Sequence, residues 1–330
     1  MTSVAPTLQA FFTQRLITQR NASPNTIAGY RDTFRLLLEY AQEQTRKAPS
    51  DLDFNDLDAP LIGAFLTHLE LDRHNSIRTR NNRLAAIRSM FKYAAINHPE
   101  HAGTIQRVLA ISPKRFDRAI VEFLTDAEAD ALFAAPDRST WTGRRDHTLL
   151  ILMTQTGLRV SEITALTNET VHLGTGAYVR VTHGKGRKQR ATPLTTTTVA
   201  ALRVWTTERK GSADQPLFPS RQGTPLSRDS VEHLVKKHST HAGQQRPSLL
   251  TKHVTPHTLR HTSAMRLLQA GVDTTVIALW LGHESVETTL IYLHADMTIK
   301  ERAIARTKPP DTTIGRYHAP DKLLAFLDSL

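Results

Sequence analysis

Three segments in the second half of the chain carry residue types that suit one reaction, attack on a phosphodiester. They are Thr156-Gly157-Leu158-Arg159-Val160-Ser161-Glu162, the turn Gly184-Lys185-Gly186, and a stretch from His257-Thr258-Leu259-Arg260-His261 through Leu281-Gly282-His283 to Ile291-Tyr292-Leu293. Without a metal, such a reaction needs a nucleophile, cations on the non-bridging oxygens and a proton donor for the leaving oxygen. Arg159 and Arg260 suit the cationic role, because a guanidinium is always charged and its planar donors match phosphate. The transition state gathers negative charge, so fixed cations stabilise it more than the ground state. Lys185, flanked by glycines, can reach a leaving oxygen as general acid. His257 titrates near neutral pH and can pass protons, and His283 can donate to a phosphate oxygen. Tyr292 is the one candidate nucleophile near this basic set. A phenol keeps its proton to about pH 10, so neighbouring cations and a base are needed to activate it.

Each segment taken singly has a plainer explanation. Arg159 and Glu162, three apart on a helix, fit an ordinary surface ion pair. Tyr292 sits between Ile291 and Leu293, which reads as core. His257 and His261 have the i, i+4 spacing of a metal-binding helix. That motif requires Glu directly after the first His, where Thr258 stands, and Arg260 would repel a cation. No metal site is therefore expected.

The elements that must position these residues are mostly helical. Ser23-Pro24 starts a helix with Ser23 as cap, carrying Tyr30, Phe34, Leu37 and Ala41. Asp58-Ala59-Pro60 starts a second, carrying Ile62, Phe65, Leu66 and Leu69. A third spans about Ser76–Asn97, with Leu84, Ile87, Phe91 and Ala94 as its apolar stripe. Arg78, Arg88 and Lys92 flank that stripe, either as a solvated face or as a helix lying along phosphates. Residues 100–121 break the pattern and read as a basic linker, through Pro113, Lys114, Arg115 and Arg118. Thr125 and Glu128 form a capping box for the next helix. A buried helix around Leu149–Met153 stops near Gly157. Ala177–Thr182 and Arg190–Leu194 read as a hairpin around a basic turn that also holds Arg187 and Lys188. Helices follow at about 195–210, 227–240, 257–270, 273–281, 285–294 and 298–306.

In their order and spacing, these motifs resemble the tyrosine recombinases, or phage-type integrases, and within them the compact Xer-type and transposon-borne members. Ala264, Leu268, Gly271, Val272 and Asp273 also fall on the family pattern. The resemblance is dense over the second domain and looser over the first hundred residues. It implies a mainly α fold with a small antiparallel sheet. A helical core-binding domain (1–105), a basic linker (106–121) and a mixed α/β catalytic domain (122–310) would form a clamp around DNA. A tail, 311–330, would follow. It implies that Arg159 and Arg260 clamp the scissile phosphate, that Lys185 protonates the leaving 5′ oxygen, and that His257 is a general acid/base. His283 would be a second phosphate contact, Glu162 a supporting acid, and Tyr292 the nucleophile of a 3′-phosphotyrosyl intermediate. It implies no metal and no nucleotide cofactor. The implied partners are duplex DNA and further copies in a tetrameric synapse, with or without a paralogous recombinase. Leu279 departs from the family, where a polar residue is common. Leu323, Leu327 and Leu330 share a helical face that either docks on a neighbouring protomer or folds back.

The whole chain agrees with this. Among its 330 residues, 42 Lys and Arg face 31 Asp and Glu, a formal charge of +11, which favours a polyanionic partner. There is no cysteine, so disulfides and thiol nucleophiles are excluded. No apolar run approaches spanning length and the first residues lack a secretory pattern, which leads to the expectation of a cytoplasmic protein. Two rivals stand beside recombination. One is a type IB topoisomerase, which shares the chemistry but pairs no sites. The other is a DNA-binding protein that has lost catalysis.

Overall fold

Side-chain caps fix most helix starts. Ser23 Oγ accepts from Thr26 N and Pro24 takes the first helical position, so α2 runs Pro24–Thr45, after α1 (Val4–Ala10). A π-type turn over Phe11–Gln19 continues α1. Asp58 caps α3 (Ala59–Leu71) and Ser76 caps α4 (Ile77–Asn97) in the same way. The computed structural model describes residues 3–116, 121–182, 189–283 and 285–295. It divides into two units, Met1–Arg118 and Ala119–Leu330.

In the first unit the expected stripes of α2, α3 and α4 meet in one core with Phe11, Leu16 and Phe54. Tyr30 stacks on Phe11 at 6.2 Å. The expectation that residues 100–121 lack regular structure is corrected for one segment. Ala102–Ala110 form α5, whose Ile105 and Val108 are buried in this core. The stretch after it is tethered as well. Lys114 Nζ meets Glu70 at 2.8 Å, buried Arg80 pairs with the same carboxylate at 3.2 Å, and Asn81 both donates to and accepts from the Lys114 backbone. A run of charges after Pro113 hides this from sequence, because the partners lie more than thirty residues away.

The second unit starts with the expected capping box, Thr125 and Glu128, on α6 (Asp126–Ala134). Helices α7 (Trp141–Thr156) and α8 (Val160–Thr164) follow. Three antiparallel strands come next, β1 (Val171–His172), β2 (Tyr178–Val181) and β3 (Arg190–Pro193), in the order β1-β2-β3. The hairpin was legible in sequence; the two-residue β1 was too short to show a period. Then come α9 (Thr196–Arg209), α10 (Arg228–Gly243), α11 (Pro256–Gln269), α12 (Thr274–Leu281) and α13 (Glu287–Ala295). Leu149, Leu152, Val179, Trp205, Leu234 and Leu259 are among the residues of the main core. The expected helix at 298–306 and the Leu323, Leu327, Leu330 face lie outside the described residues. Among those described, no helix is long and apolar enough to cross a membrane.

Glu128 does more than cap. It is buried and accepts from Lys252 Nζ (2.7 Å), Ser248 Oγ (2.7 Å) and Thr125 N (2.8 Å), which ties α6 to the loop before α11. Burial alone would raise its pKa, but these hydrogen bonds outweigh it and hold the carboxyl at about 2. A carboxylate whose folded pKa is depressed stabilises the fold above its unfolded pKa, and the contribution fades as pH falls towards the folded value. In paired denaturant titrations, Glu128→Gln should be less stable than wild type at pH 7, and the gap should close between about pH 4.5 and 2. A gap that does not change with pH would refute the ionic account.

Candidate active site

The site forms where α7 and α12 end. Each stops in a left-handed glycine, Gly157 at φ 64° and Gly282 at φ 66°. A β-carbon at Gly157 would lie 2.5 Å from Leu281 Cδ2, and one at Gly282 would lie 2.7 Å from the Arg190 guanidinium, so both turns need glycine for conformation and for space. Helix C-termini present carbonyls without intrahelical partners, and their dipoles favour cations. Arg260 bridges two of these carbonyls, donating to Gly157 O at 2.6 Å and Leu281 O at 2.8 Å. Arg159, the residue before α8, donates to Gly282 O at 2.8 Å.

Glu162 supplies the counter-charge. The reading of Arg159 and Glu162 as a surface pair is corrected, since Glu162 is only 3% exposed. It accepts from Arg159 Nη1 at 2.9 Å and from the Arg159 backbone at 2.8 Å. It also receives a two-pronged contact from Arg190, at 2.9 and 2.7 Å. Burial would raise its pKa, yet Arg190 first and Arg159 next hold it below the usual carboxylate range. Arg190 was not singled out from the sequence. Its signal was strand alternation: it lies on the face of buried Thr192, towards the core. Its Nε donates to Trp280 O at 3.1 Å, which joins the hairpin to α12. Two guanidiniums thus share one carboxylate, with the charge of Arg260 nearby, and the surplus positive charge suits an anion.

Tyr292, on α13, is 1% exposed and packs with Ala264, Met265, Leu268, Ile277 and Leu281. The plain reading of this tyrosine as core is correct for its ring. Its hydroxyl, however, lies 2.9 Å from Nδ1 of His261. Burial pushes the phenol up to about 12 against the pull of Arg260 and Arg159. Arg260 is itself brought down to about 10, by burial and then by Arg159, and stays charged at neutral pH. His283 stacks on the Tyr292 ring at 6.4 Å and pairs through Nδ1 with buried Thr289 at 2.8 Å. His257 is exposed and sits edge-on to His261, 4.3 Å between ring centres. Burial, then cationic and histidine neighbours, bring His261 and His283 down to about 4, so both are neutral at pH 7.

Five of the six expected catalytic residues, Arg159, His257, Arg260, His283 and Tyr292, therefore belong to one site. The sixth, Lys185, lies outside the described residues, as do Arg187 and Lys188. In the first unit, Arg88 and Lys92 line a groove together with Arg15 and Arg20, two cations that the sequence did not connect to them. Arg78 is exposed at the start of α4, roughly 15 Å along the helix from Arg88. Leu279 does not pack internally; it is 71% exposed.

Two family models match the chain, one described as phage integrase family over residues 122–298, the other as phage integrase, N-terminal SAM-like domain over residues 10–98. The chain is 56% identical to a putative integrase/recombinase y4rC of Sinorhizobium fredii, over 99% of this chain and 98% of that one. It is 35% identical to tyrosine recombinase XerD of Staphylococcus aureus, over 84% of this chain and 90% of the relative. Two solved structures share its fold. One is the Tn1549 transposon integrase in complex with transposon right end DNA, with a TM-score of 0.70 and 18% identity, covering 92% of this chain and 98% of that one. The other is the XerH site-specific recombinase in its post-cleavage complex with a palindromic difH substrate, with a TM-score of 0.66 and 22% identity, covering 87% and 81%.

Proposed function

The chain belongs to the phage integrase family, the tyrosine recombinases, and from that premise we propose that it cleaves and rejoins duplex DNA at specific sites through a 3′-phosphotyrosyl link to Tyr292. The observation that carries this reading is the Tyr292 hydroxyl buried within the field of Arg260 and Arg159, both fixed by helix-end carbonyls. Positive charge held there in advance needs no reorganisation when the phosphorane forms. Arg159 and Arg260 grip the non-bridging oxygens and Glu162 keeps Arg159 in place. His257 exchanges protons at the exposed edge, and His283 donates to the phosphate. Lys185 protonates the leaving 5′ oxygen. The phosphotyrosine keeps the bond energy for religation, so no metal or nucleotide is consumed.

Residues 1–105 act as the core-binding domain, 106–121 as the linker, 122–310 as the catalytic domain and 311–330 as the tail. The two domains clamp duplex DNA, and Arg78, Arg88, Lys92, Arg187 and Lys188 contact its phosphates. Four protomers, identical or including a paralogous recombinase, pair two sites in the cytoplasm. The net charge of +11 supports the polyanionic partner.

The test uses nicked duplexes drawn from the DNA flanking the gene. A protein–DNA adduct that survives denaturing detergent should form with wild type and be absent with Tyr292→Phe. An adduct that persists in Tyr292→Phe refutes the nucleophile. Tight binding with no adduct from wild type favours a protein that only binds DNA.

A further inference from the structure

Resting on the reading of Tyr292 as nucleophile, we propose that His261 is a further catalytic residue, the base that takes the phenolic proton during strand cleavage and returns it on religation. Its Nδ1 stands 2.9 Å from the hydroxyl, within reach for direct transfer. Among the described residues it is the hydrogen-bond partner of that hydroxyl. His283 lies flat against the ring at 6.4 Å, and its own Nδ1 is taken by Thr289.

Helix geometry explains the placement. Arg260 and His261 are adjacent on α11, so their side chains leave the helix about 100° apart. Arg260 turns to the ends of α7 and α12, and His261 turns to α13. One turn earlier on the same face, His257 places its ring 4.3 Å from that of His261 and reaches the surface. The hydroxyl, His261 and His257 thus form a path from a buried phenol to the exposed edge of the site.

The charged and titratable groups around His261 are His257 and Arg260 from α11, His283 after α12, and Tyr292 from α13. None is an anion at pH 7, and together with burial they keep the imidazole neutral, ready to accept. A neutral imidazole is a weak base for a free phenol. The proton, however, leaves as the oxygen bonds to phosphorus, when the phenol becomes strongly acidic. An arriving phosphodiester also adds negative charge that favours the imidazolium. In the forward step the Tyr292 oxygen–phosphorus bond forms and the phenolic proton moves to His261 Nδ1. The bond from phosphorus to the 5′ oxygen breaks, and that oxygen takes a proton from the general acid. Religation reverses each transfer, so His261 ends neutral.

The test measures single-turnover adduct formation by His261→Gln and His261→Asn, on a nicked duplex that wild type cleaves. The same duplex is also made with sulfur in place of the leaving 5′ oxygen. Both variants keep an amide that can hydrogen-bond the phenol. They should bind the duplex as wild type does yet cleave at least 100-fold more slowly. The loss should persist with the sulfur duplex, because a thiolate leaves without protonation while the phenol still needs its base. Cleavage within threefold of wild type overturns the proposal. So does full repair by sulfur, which would assign His261 to the leaving group. Nitrogen NMR of the wild-type imidazole is a check independent of folding in the variants. Nδ1 should be unprotonated, and a proton there overturns the accepting role. Tyr292→Phe runs alongside: an adduct in that variant sinks the nucleophile reading itself, a different failure from a fast His261→Gln.

Discussion

Arg260→Ala should lose adduct formation by about a thousandfold or more while duplex binding changes little. Arg260 is 3% exposed and spans the ends of α7 and α12, so its guanidinium cannot swing away or be replaced by water without rearranging both helix ends. On the proposed mechanism its charge is held where the phosphorane develops. A duplex bound as proposed would meet many other phosphate contacts, and losing one of them would cost little affinity. Arg260→Lys restores the charge but not the planar fork that satisfies two carbonyls and a phosphate together. It should recover less than a tenth of the lost rate. Single-turnover cleavage at saturating DNA, read beside a binding titration, separates the effects. A rate within tenfold of wild type for Arg260→Ala would refute this role.

Glu162→Ala should have the largest effect on stability. Removing one member of a buried ionic network leaves uncompensated charge, at a cost of about 3–5 kcal/mol. Here the orphans are Arg159 and Arg190, with Arg260 close behind. In a unit of this size that corresponds to a fall in Tm of roughly 10 °C. Glu162→Gln keeps the shape and loses only the charge, so it should share most of the loss. The depressed pKa of Glu162 sets the pH dependence. The deficit of Glu162→Gln should be full above the ordinary carboxylate range and shrink as pH falls below it. Sulfate, which the freed guanidiniums can bind, should restore part of the Tm. Calorimetry that finds wild-type and Glu162→Gln melting together at pH 7 would remove the network from the account of this fold.

Where the sequence was readable, a local rule was at work. The caps at Ser23, Asp58 and Thr125 and the stop at Gly157 involve neighbours within a few residues, so pattern alone located them. Helix α5 was missed because its nine residues follow two histidines and a proline, and a helix this short spans too few turns to establish a period. Arg190 was missed because its partner Glu162 is 28 residues earlier, and a strand arginine beside a basic turn looks like one more surface cation.

The sequence by itself determined the family and the candidates for its chemistry. Residue types, order and spacing, with the family they resemble, nominated Arg159, Lys185, His257, Arg260, His283 and Tyr292 as candidates, because a phosphodiester reaction restricts which side chains can serve and the motifs are short and ordered. Only the tertiary structure decided the environment of those groups. It made Glu162 the shared anchor of two arginines, placed Arg260 across two helix ends, and put His261 rather than His257 against the phenol. The physical reason is range. Reactivity is a property of a residue's own atoms, whereas pKa, orientation and burial depend on groups distant in the chain that meet only when the helices pack.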